Sequence, residues 1–501
     1  MKILLVQPPF TVLRTETKKC HPPLGLAYLA GVLKQNHSVI VLDAVAEGYN
    51  EEEVIDKHFL RYGLSFENIK RRIEYLKPDI VGVSCLFSAQ SENVHKICEL
   101  VKEMDKKIVT ILGGAHPSAV PEKVLKDNNV DFVVIGEGEN TLNRILEFIE
   151  KRKAIQKNDI DGIGFRLNGD IRINKKERYE TDLDNIPFPY WDIFPLEKYF
   201  KINNPHGGQA RRTPFLPLIS SRGCPFECIF CSIHNLWGRN YRKRSAENVL
   251  LEIEYLIQKF GIKEIMFEDD NLTLDKERAT RIFQGLIETR INIIWSAPNG
   301  LAIQTLDDRL LELMRRSGCY RISIGIESGD EYVLKNIIGK PIVLSKIKPI
   351  INKARKLKME TSAFFVIGLP GETRKNLKNT LHFAANLGVD NVNFFFATPL
   401  PGTQLLELCK ERGLIKTEIN YINLKSDYPN FSTEYFSCRE LNSIVVRYKL
   451  MIHLLSLLKK PHKFIYKVFT KLKYDPKYIF RLKLQLQNKK YKNNNNIITT
   501  T

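Results

Sequence analysis

The chain has 501 residues, 43% of them hydrophobic and 27% charged, with a formal charge of +19. This is the balance of a soluble globular protein with room for two or three cored domains, and no uncharged apolar run reaches the roughly eighteen residues of a membrane span. The charge is lopsided: from Arg439 to Thr501 stand fifteen Lys or Arg against two acidic residues, a basic end suited to phosphate on lipid headgroups or nucleic acid.

The opening MKILLVQPPF is too short an apolar run for a signal peptide and lacks a small-residue cleavage site. The nine cysteines are therefore expected in a reducing cytosol, without structural disulfides. Through residue 150, β-branched runs (KILLVQ, SVIVLDA, DIVGVSCL, KIVTILGG, DFVVIG) alternate with helical patterns (LGLAYLAGVLKQ, VHKICELVKEM, TLNRILEFIE). That alternation predicts a parallel, doubly wound α/β sheet with helices on both faces. Such sheets bind ligands at the carboxyl ends of their strands, where this chain places Gln7-Pro8-Pro9, Ser84-Cys85-Leu86, Gly113-Gly114-Ala115-His116 and Gly136-Glu137-Gly138-Glu139.

Residues 151–215, rich in Pro with little periodicity, read as a connector. Their aromatic residues, among them Phe188, Trp191, Phe194 and Tyr199, are too apolar for a solvated linker, so the stretch is expected to pack along both domains. Over 216–415 a second alternation begins with FLPLISS, EIMFED, IIWSAPN, RISIGIES, TSAFFVIG and VNFFFATP. Six strand-helix units predict an open, partial (β/α)6 barrel with its site at the strands' carboxyl ends. Residues 416–501 read as a basic helical region. NSIVVRYKLMIHLLSLL is apolar nearly all round, KFIYKVFTKLKY sets Ile465, Phe469 and Leu472 opposite lysines, and YKNNNNIITTT is low-complexity.

The stretch SSRGCPFECIFC, directly after the first barrel strand, holds Cys224, Cys228 and Cys231. Zinc, with His234 as fourth ligand, is one reading, but structural zinc favours four protein ligands in paired knuckles, and no second knuckle is present. A cubane iron–sulfur cluster needs one ligand per iron. Three thiolates leave one iron open for an exogenous ligand.

The CxxxCxxC spacing at this place resembles the radical S-adenosylmethionine superfamily. The resemblance implies a [4Fe-4S] cluster on the three cysteines, with S-adenosylmethionine chelating the open iron and Phe230 near its adenine. It also implies cofactor contacts along successive strand ends: Glu268, Asp269 and Asp270; then Glu327 and Ser328; then Gly368, Gly371 and Glu372. Taken singly, each has an ordinary structural explanation, as strand-end carboxylates, a cap or a helix-opening turn.

Ser84-x-Leu86 followed by Gly113-Gly114 resembles two parts of the pattern of flavodoxin-like (Rossmann-type) cobalamin-binding domains. The resemblance implies cobalamin contacts at Ser84, Leu86, Gly113, Gly114, His116 and Gly136. The stretch where that pattern places a cobalt-ligating histidine reads QPPFTVLRTE, without one. His21 and His116 are the nearest substitutes in sequence. An empty docking domain is the alternative.

These resemblances imply a cobalamin-dependent radical enzyme that forms a 5′-deoxyadenosyl radical and methylates an unactivated carbon of a lipid or other small molecule, with an external electron donor. A radical cyclase or ring-forming enzyme is the alternative reaction, and a cobalamin and iron–sulfur sensor the non-enzymatic one. The basic end admits peripheral contact with anionic membrane from the cytoplasm. RNA modification is disfavoured, because Cys20, Cys85 and Cys98 are dispersed and the end is helical.

Overall fold

The computed structural model describes residues 1–151, 159–340, 342–415 and 418–459. Five parallel strands form the body of the first sheet: β1 (Lys2–Gln7), β2 (Ser38–Asp43), β3 (Ile80–Ser84), β4 (Val109–Gly113) and β5 (Phe132–Val134), in the order β2-β1-β3-β4-β5. Strands apolar on both faces need cover on both sides. Along β1, Leu4 and Val6 enter one core with Val81, Val83 and Ile97, while Ile3 and Leu5 enter the other with Leu26 and Ala27. The order reverses between β1 and β3, which opens a crevice at their carboxyl ends. A small antiparallel sheet of Phe10–Leu13, Phe59–Tyr62 and Glu52–Val54 accompanies this end.

The stretch read as a connector holds more structure than its composition suggests. Its residues β6 (Ile163–Leu167) and β7 (Asp170–Asn174) form an antiparallel hairpin that continues the first sheet from β5. Asn168 and Gly169 turn it with positive φ of 52° and 91°, the geometry an Asn-Gly hairpin turn requires. Beyond it, Trp191, Phe194 and Tyr199 are buried. The Tyr199 hydroxyl donates to Asp43 Oδ2 at 2.5 Å, which fastens the stretch to the end of β2.

The second sheet is six-stranded, parallel and open: β8 (Phe215–Leu218), β9 (Glu264–Phe267), β10 (Ile294–Leu301), β11 (Cys319–Glu327), β12 (Glu360–Ile367) and β13 (Asn391–Phe396), paired in chain order. Its helices start where the sequence supplies caps. Ser245, Asp275, Asp307 and Thr373 each accept a backbone N–H at the head of the following helix, satisfying donors the helix leaves unpaired.

The segment 418–436 crosses back to the first domain, with Lys425 Nζ 3.6 Å from Glu16 Oε2. The helix Cys438–Lys459 follows. It buries Leu441 and Val445 and exposes Val446, Leu450 and Leu454. No helix among the described residues is long and apolar enough to cross a membrane. The run carrying Ile465, Phe469 and Leu472 lies outside the described residues.

Candidate active site

The three cysteines lie in the loop between β8 and the short helix His234–Trp237. Asp269 fixes the start of that loop: it accepts from the Ser220 hydroxyl at 2.7 Å and the Ser221 hydroxyl at 2.5 Å, and from Ser220 N–H. Arg278 donates to Ser220 O at 2.8 Å. Gly223 turns the chain with φ of 84°, and a Cβ there would meet Asn240 O at 2.3 Å. Farther along, Ile229 N–H donates to Ile338 O at 3.1 Å and Leu405 N–H to Ile229 O at 2.8 Å. The loop is thus held at its entry and its middle.

Cys224, Cys228 and Cys231 are free and half-buried. Burial raises all three thiols, Cys228 to about 12 and Cys231 to about 11, and the neighbouring thiols add to the effect at Cys228 and Cys231. Such desolvated thiolates need a cationic partner. Among the described residues, the set of three side chains gathered closely enough to share one ion is His21, His206 and Glu268, not the cysteines. A cubane takes its thiolates on separate irons, so the wider cysteine set suits a cluster better than a single zinc. His234 bonds the backbone of Gly402.

Two groups of opposite charge flank the thiols. Asp270 and Asn271 each carry a buried oxygen without a hydrogen-bond partner, Oδ2 and Oδ1 respectively. Burial, reinforced by Asp269, pushes Asp270 up to about 7, and its charge acts on Cys224 and Cys231. The other flank is Lys340, which the sequence reading missed. Its buried ammonium donates to Glu327 Oε1 at 2.8 Å and Gly325 O at 2.9 Å and interacts electrostatically with Cys228 and Cys224. Glu327 has φ of 68° at an irregularity in β11, a backbone strain that functional sites often store. An orphaned carboxylate on one side and a cation on the other suit a zwitterionic amino acid group.

The remaining expected cofactor contacts fall in two classes. Phe230 is half-buried within the cysteine loop. Asp269 and Ser328 turn inward instead, Ser328 sharing a hydrogen with Thr380 at 2.8 Å. Gly368, Gly371 and Glu372 make a turn closed on itself, with Glu372 Oε2 accepting from Gly368 N–H at 2.6 Å and Leu369 N–H at 3.3 Å. A Cβ on Gly368 would meet Leu441 of the following helix at 2.5 Å.

In the first domain, Ser84, Gly113 and Gly114 end neighbouring strands at the crevice. Gly114 has φ of 113°, and a Cβ there would lie 2.7 Å from Cys85 O, so the two loops touch backbone to backbone. Gln7 Oε1 is buried without a partner, while Leu86 and Phe87 stay 46% and 58% exposed. A broad ligand with an apolar flank and a polar tail matches that surface. His116 is not free beside it: Nδ1 lies 2.9 Å from Ser88 Oγ, Tyr421 packs edge-on against the ring, and burial pushes its pKa down to about 4. His21 faces the second domain, its Nε2 3.6 Å from Glu268 Oε1. Gly136, with φ of 74°, packs on Lys176 and on Leu236 O.

The two domains meet at the cysteine loop. Arg222, two residues before Cys224, pairs with Glu137 of the turn after β5 and with Glu139 in the first turn of the helix Gly138–Lys151, and Arg242 joins Glu137 at 2.7 Å. The segment Ala115–Ala119 packs on His234–Trp237.

Comparison with known proteins agrees with this arrangement. The family described as B12 binding domain matches residues 10–146, and the Radical SAM superfamily matches residues 218–384. Cytidylyl-2-hydroxyethylphosphonate methyltransferase of Streptomyces wedmorensis is 35% identical over 83% of this chain and 83% of its own length. The anaerobic magnesium-protoporphyrin IX monomethyl ester cyclase of Rubrivivax gelatinosus is 29% identical over 81% of this chain and 70% of its own. The solved structure of the cobalamin-dependent S-adenosylmethionine radical enzyme OxsB with aqua-cobalamin bound superposes with a TM-score of 0.71 at 18% identity, covering 96% of this chain and 72% of that one, a likeness of fold. The chain therefore belongs to the cobalamin-dependent radical S-adenosylmethionine enzymes, a family of methyltransferases and cyclases whose cofactors are a [4Fe-4S] cluster, S-adenosylmethionine and cobalamin.

Proposed function

We propose that this enzyme methylates an unactivated carbon of a small polar substrate, held where the carboxyl ends of β8 to β11 face the loops of the first domain. The observation that carries this is the buried pairing of Arg222 with Glu137 and Glu139, which sets the cysteine loop directly against the cobalamin-type domain. When bound, the cluster with S-adenosylmethionine supplies a hydrogen-abstracting radical, and cobalamin supplies a transferable methyl group.

The chain's own residues then have distinct tasks. Cys224, Cys228 and Cys231 hold the cluster. Asp270 and Asn271 accept the amino group of S-adenosylmethionine, Lys340 with Glu327 orients its carboxylate, and Phe230 lines the adenine side. Ser84, Leu86, Gly113 and Gly114 form the bed for cobalamin. Asp269, Ser328 and Glu372 act by shaping the turns around them. His116 supports the crevice from behind.

A polar substrate is favoured over a lipid because His21, His206 and Asn299 border the barrel mouth beside Glu268. Methyl transfer predicts that each product molecule is accompanied by one 5′-deoxyadenosine and one S-adenosylhomocysteine, measured by chromatography with cytidylyl-2-hydroxyethylphosphonate and simpler hydroxyphosphonates as trial substrates. Deoxyadenosine without S-adenosylhomocysteine would instead assign a cyclase-type reaction. The exposed stripe Val446, Leu450 and Leu454, preceding a lysine-rich end, supports peripheral contact with anionic membrane at the cytoplasmic face. Retention of the full chain on anionic but not neutral vesicles tests that placement.

A further inference from the structure

Three chain segments from different parts of the sequence converge at the barrel mouth. Glu268 follows β9, His206 lies in the stretch between the domains, and His21 stands in the loop before the helix Leu24–Leu33. One ligand atom from each lies within 4.8 Å of the others. His206 Nε2 is 3.3 Å from Glu268 Oε2, and His21 Nε2 is 3.6 Å from Glu268 Oε1.

These positions are built rather than incidental. Cys20 N–H donates to Asn204 O at 3.0 Å and Asn204 Nδ2 to Lys18 O at 2.6 Å, so the two histidine loops are tied together. Gly207 has φ of 73°, and a Cβ there would meet Pro298 at 2.4 Å, pressing the His206 loop onto β10. His206 Nε2 donates to Asn299 Oδ1 at 2.9 Å, and Asn299 Nδ2 donates to Glu268 O at 2.8 Å; a metal ion on Nε2 would take the place of the first of these contacts.

The Glu268 side chain is only 10% exposed, and its Oε1 is buried with no hydrogen-bond partner. A buried carboxylate oxygen left unpaired is costly unless a cation meets it. Two imidazoles and one carboxylate are the ligand set of open catalytic zinc sites, in which bonds of about 2.0–2.2 Å set tetrahedral ligand atoms about 3.3 Å apart. The two nitrogen-to-oxygen separations, 3.3 and 3.6 Å, are close to that edge but run to different oxygens of Glu268, so the carboxylate would meet the ion through one oxygen or both.

We propose that His21, His206 and Glu268 form a three-ligand site for a divalent transition-metal ion, zinc being the best match, with its open position on the side where His206 is exposed. That position takes water or an oxygen of the substrate. The site serves to orient a polar substrate at the barrel mouth, beyond anything the cluster and cobalamin supply.

The test is equilibrium dialysis of the cofactor-loaded full chain against zinc and a weak competing chelator, with zinc, iron and cobalt counted in the same sample. The expected result is about one zinc per chain with iron and cobalt unchanged, and an affinity lowered more than roughly tenfold in His206→Ala and Glu268→Gln but not in His95→Ala. Iron and cobalt contents report whether each variant still folds and whether the cofactor assignment itself holds. Three results would overturn the site: no zinc on the parent chain, equal zinc on Glu268→Gln and the parent, or zinc gained only as iron is lost, which would place it on the cysteines.

Discussion

Arg222 Nη2 lies 2.7 Å from Glu139 Oε1, and Arg222 Nη1 lies 3.1 Å from Glu137 Oε1. The residue that opens the cysteine loop is thereby ion-paired, out of water, to the other domain. Removing one member of a buried pair strands its partner's charge, at a cost of about 3–5 kcal/mol. Glu137→Ala, which leaves both Arg222 and Arg242 short of an acceptor, is expected to lower the thermal midpoint by several degrees. An unchanged midpoint would show that the network contributes nothing to stability.

Iron content tests the proposal that Cys224, Cys228 and Cys231, and not the buried thiols elsewhere, hold the cluster. Cys224→Ala, Cys228→Ala and Cys231→Ala are each expected to lose most of their iron after anaerobic reconstitution, because three thiolates are the minimum for a cubane with one open iron. Cys85→Ala, at a buried thiol in the first domain, is expected to keep it. Full iron in any of the three loop variants would refute the assignment.

If Lys340 positions S-adenosylmethionine as proposed, its effect shows in binding rather than in cluster assembly. Lys340→Met leaves Glu327 without its ammonium and the thiols without a neighbouring cation. Losing a charge-assisted bond of this kind raises the KM for S-adenosylmethionine roughly tenfold to a hundredfold, with iron content retained. A drop in kcat alone, at constant KM, would contradict the role.

Glu372 sets a pH dependence of stability. Its carboxyl is buried and its pKa is raised from 4.5 to about 7 by desolvation, partly offset by the Gly368 and Leu369 N–H groups. Above 4.5 the unfolded chain releases this proton while the folded chain keeps it. The stability from protonated Glu372 is therefore fully present below 4.5 and lost as pH rises through 7, on the order of 3 kcal/mol in all. Thermal midpoints between pH 4 and 8 should fall less steeply in Glu372→Gln than in the parent protein. Superimposable profiles would remove Glu372 from the account.

The parts of this architecture written locally in the chain are the parts the sequence discloses. Cys224, Cys228 and Cys231 lie within eight residues, and strand-end glycines follow from short-range patterning. Lys340 escapes such reading because a π-helical turn, Val333–Ile338, and the left-handed Gly339 bring it beside the thiols. The Arg222 clamp escapes it too, since its partners lie more than eighty residues away. Glycine-rich turns such as Gly368–Gly371 look alike in sequence whatever they face; here Gly368 packs against Leu441 of the following helix. The hairpin of β6 and β7 is missed although Asn168-Gly169 between alternating apolar residues is a strong turn signal; the prolines downstream dominate the reading of the stretch as a connector.

This chain is proposed to move a methyl group onto substrate carbon using all three cofactors. The most direct measurement is mass spectrometry of products formed anaerobically from S-adenosylmethionine deuterated in its methyl group, by the reduced, cobalamin-loaded protein with phosphonate and other polar trial substrates. A product carrying the deuterated methyl group is expected from the loaded protein and not from the cobalamin-free one or from Cys228→Ala. A product formed with 5′-deoxyadenosine but without deuterium, or label transfer that survives loss of the cluster, would contradict the proposal.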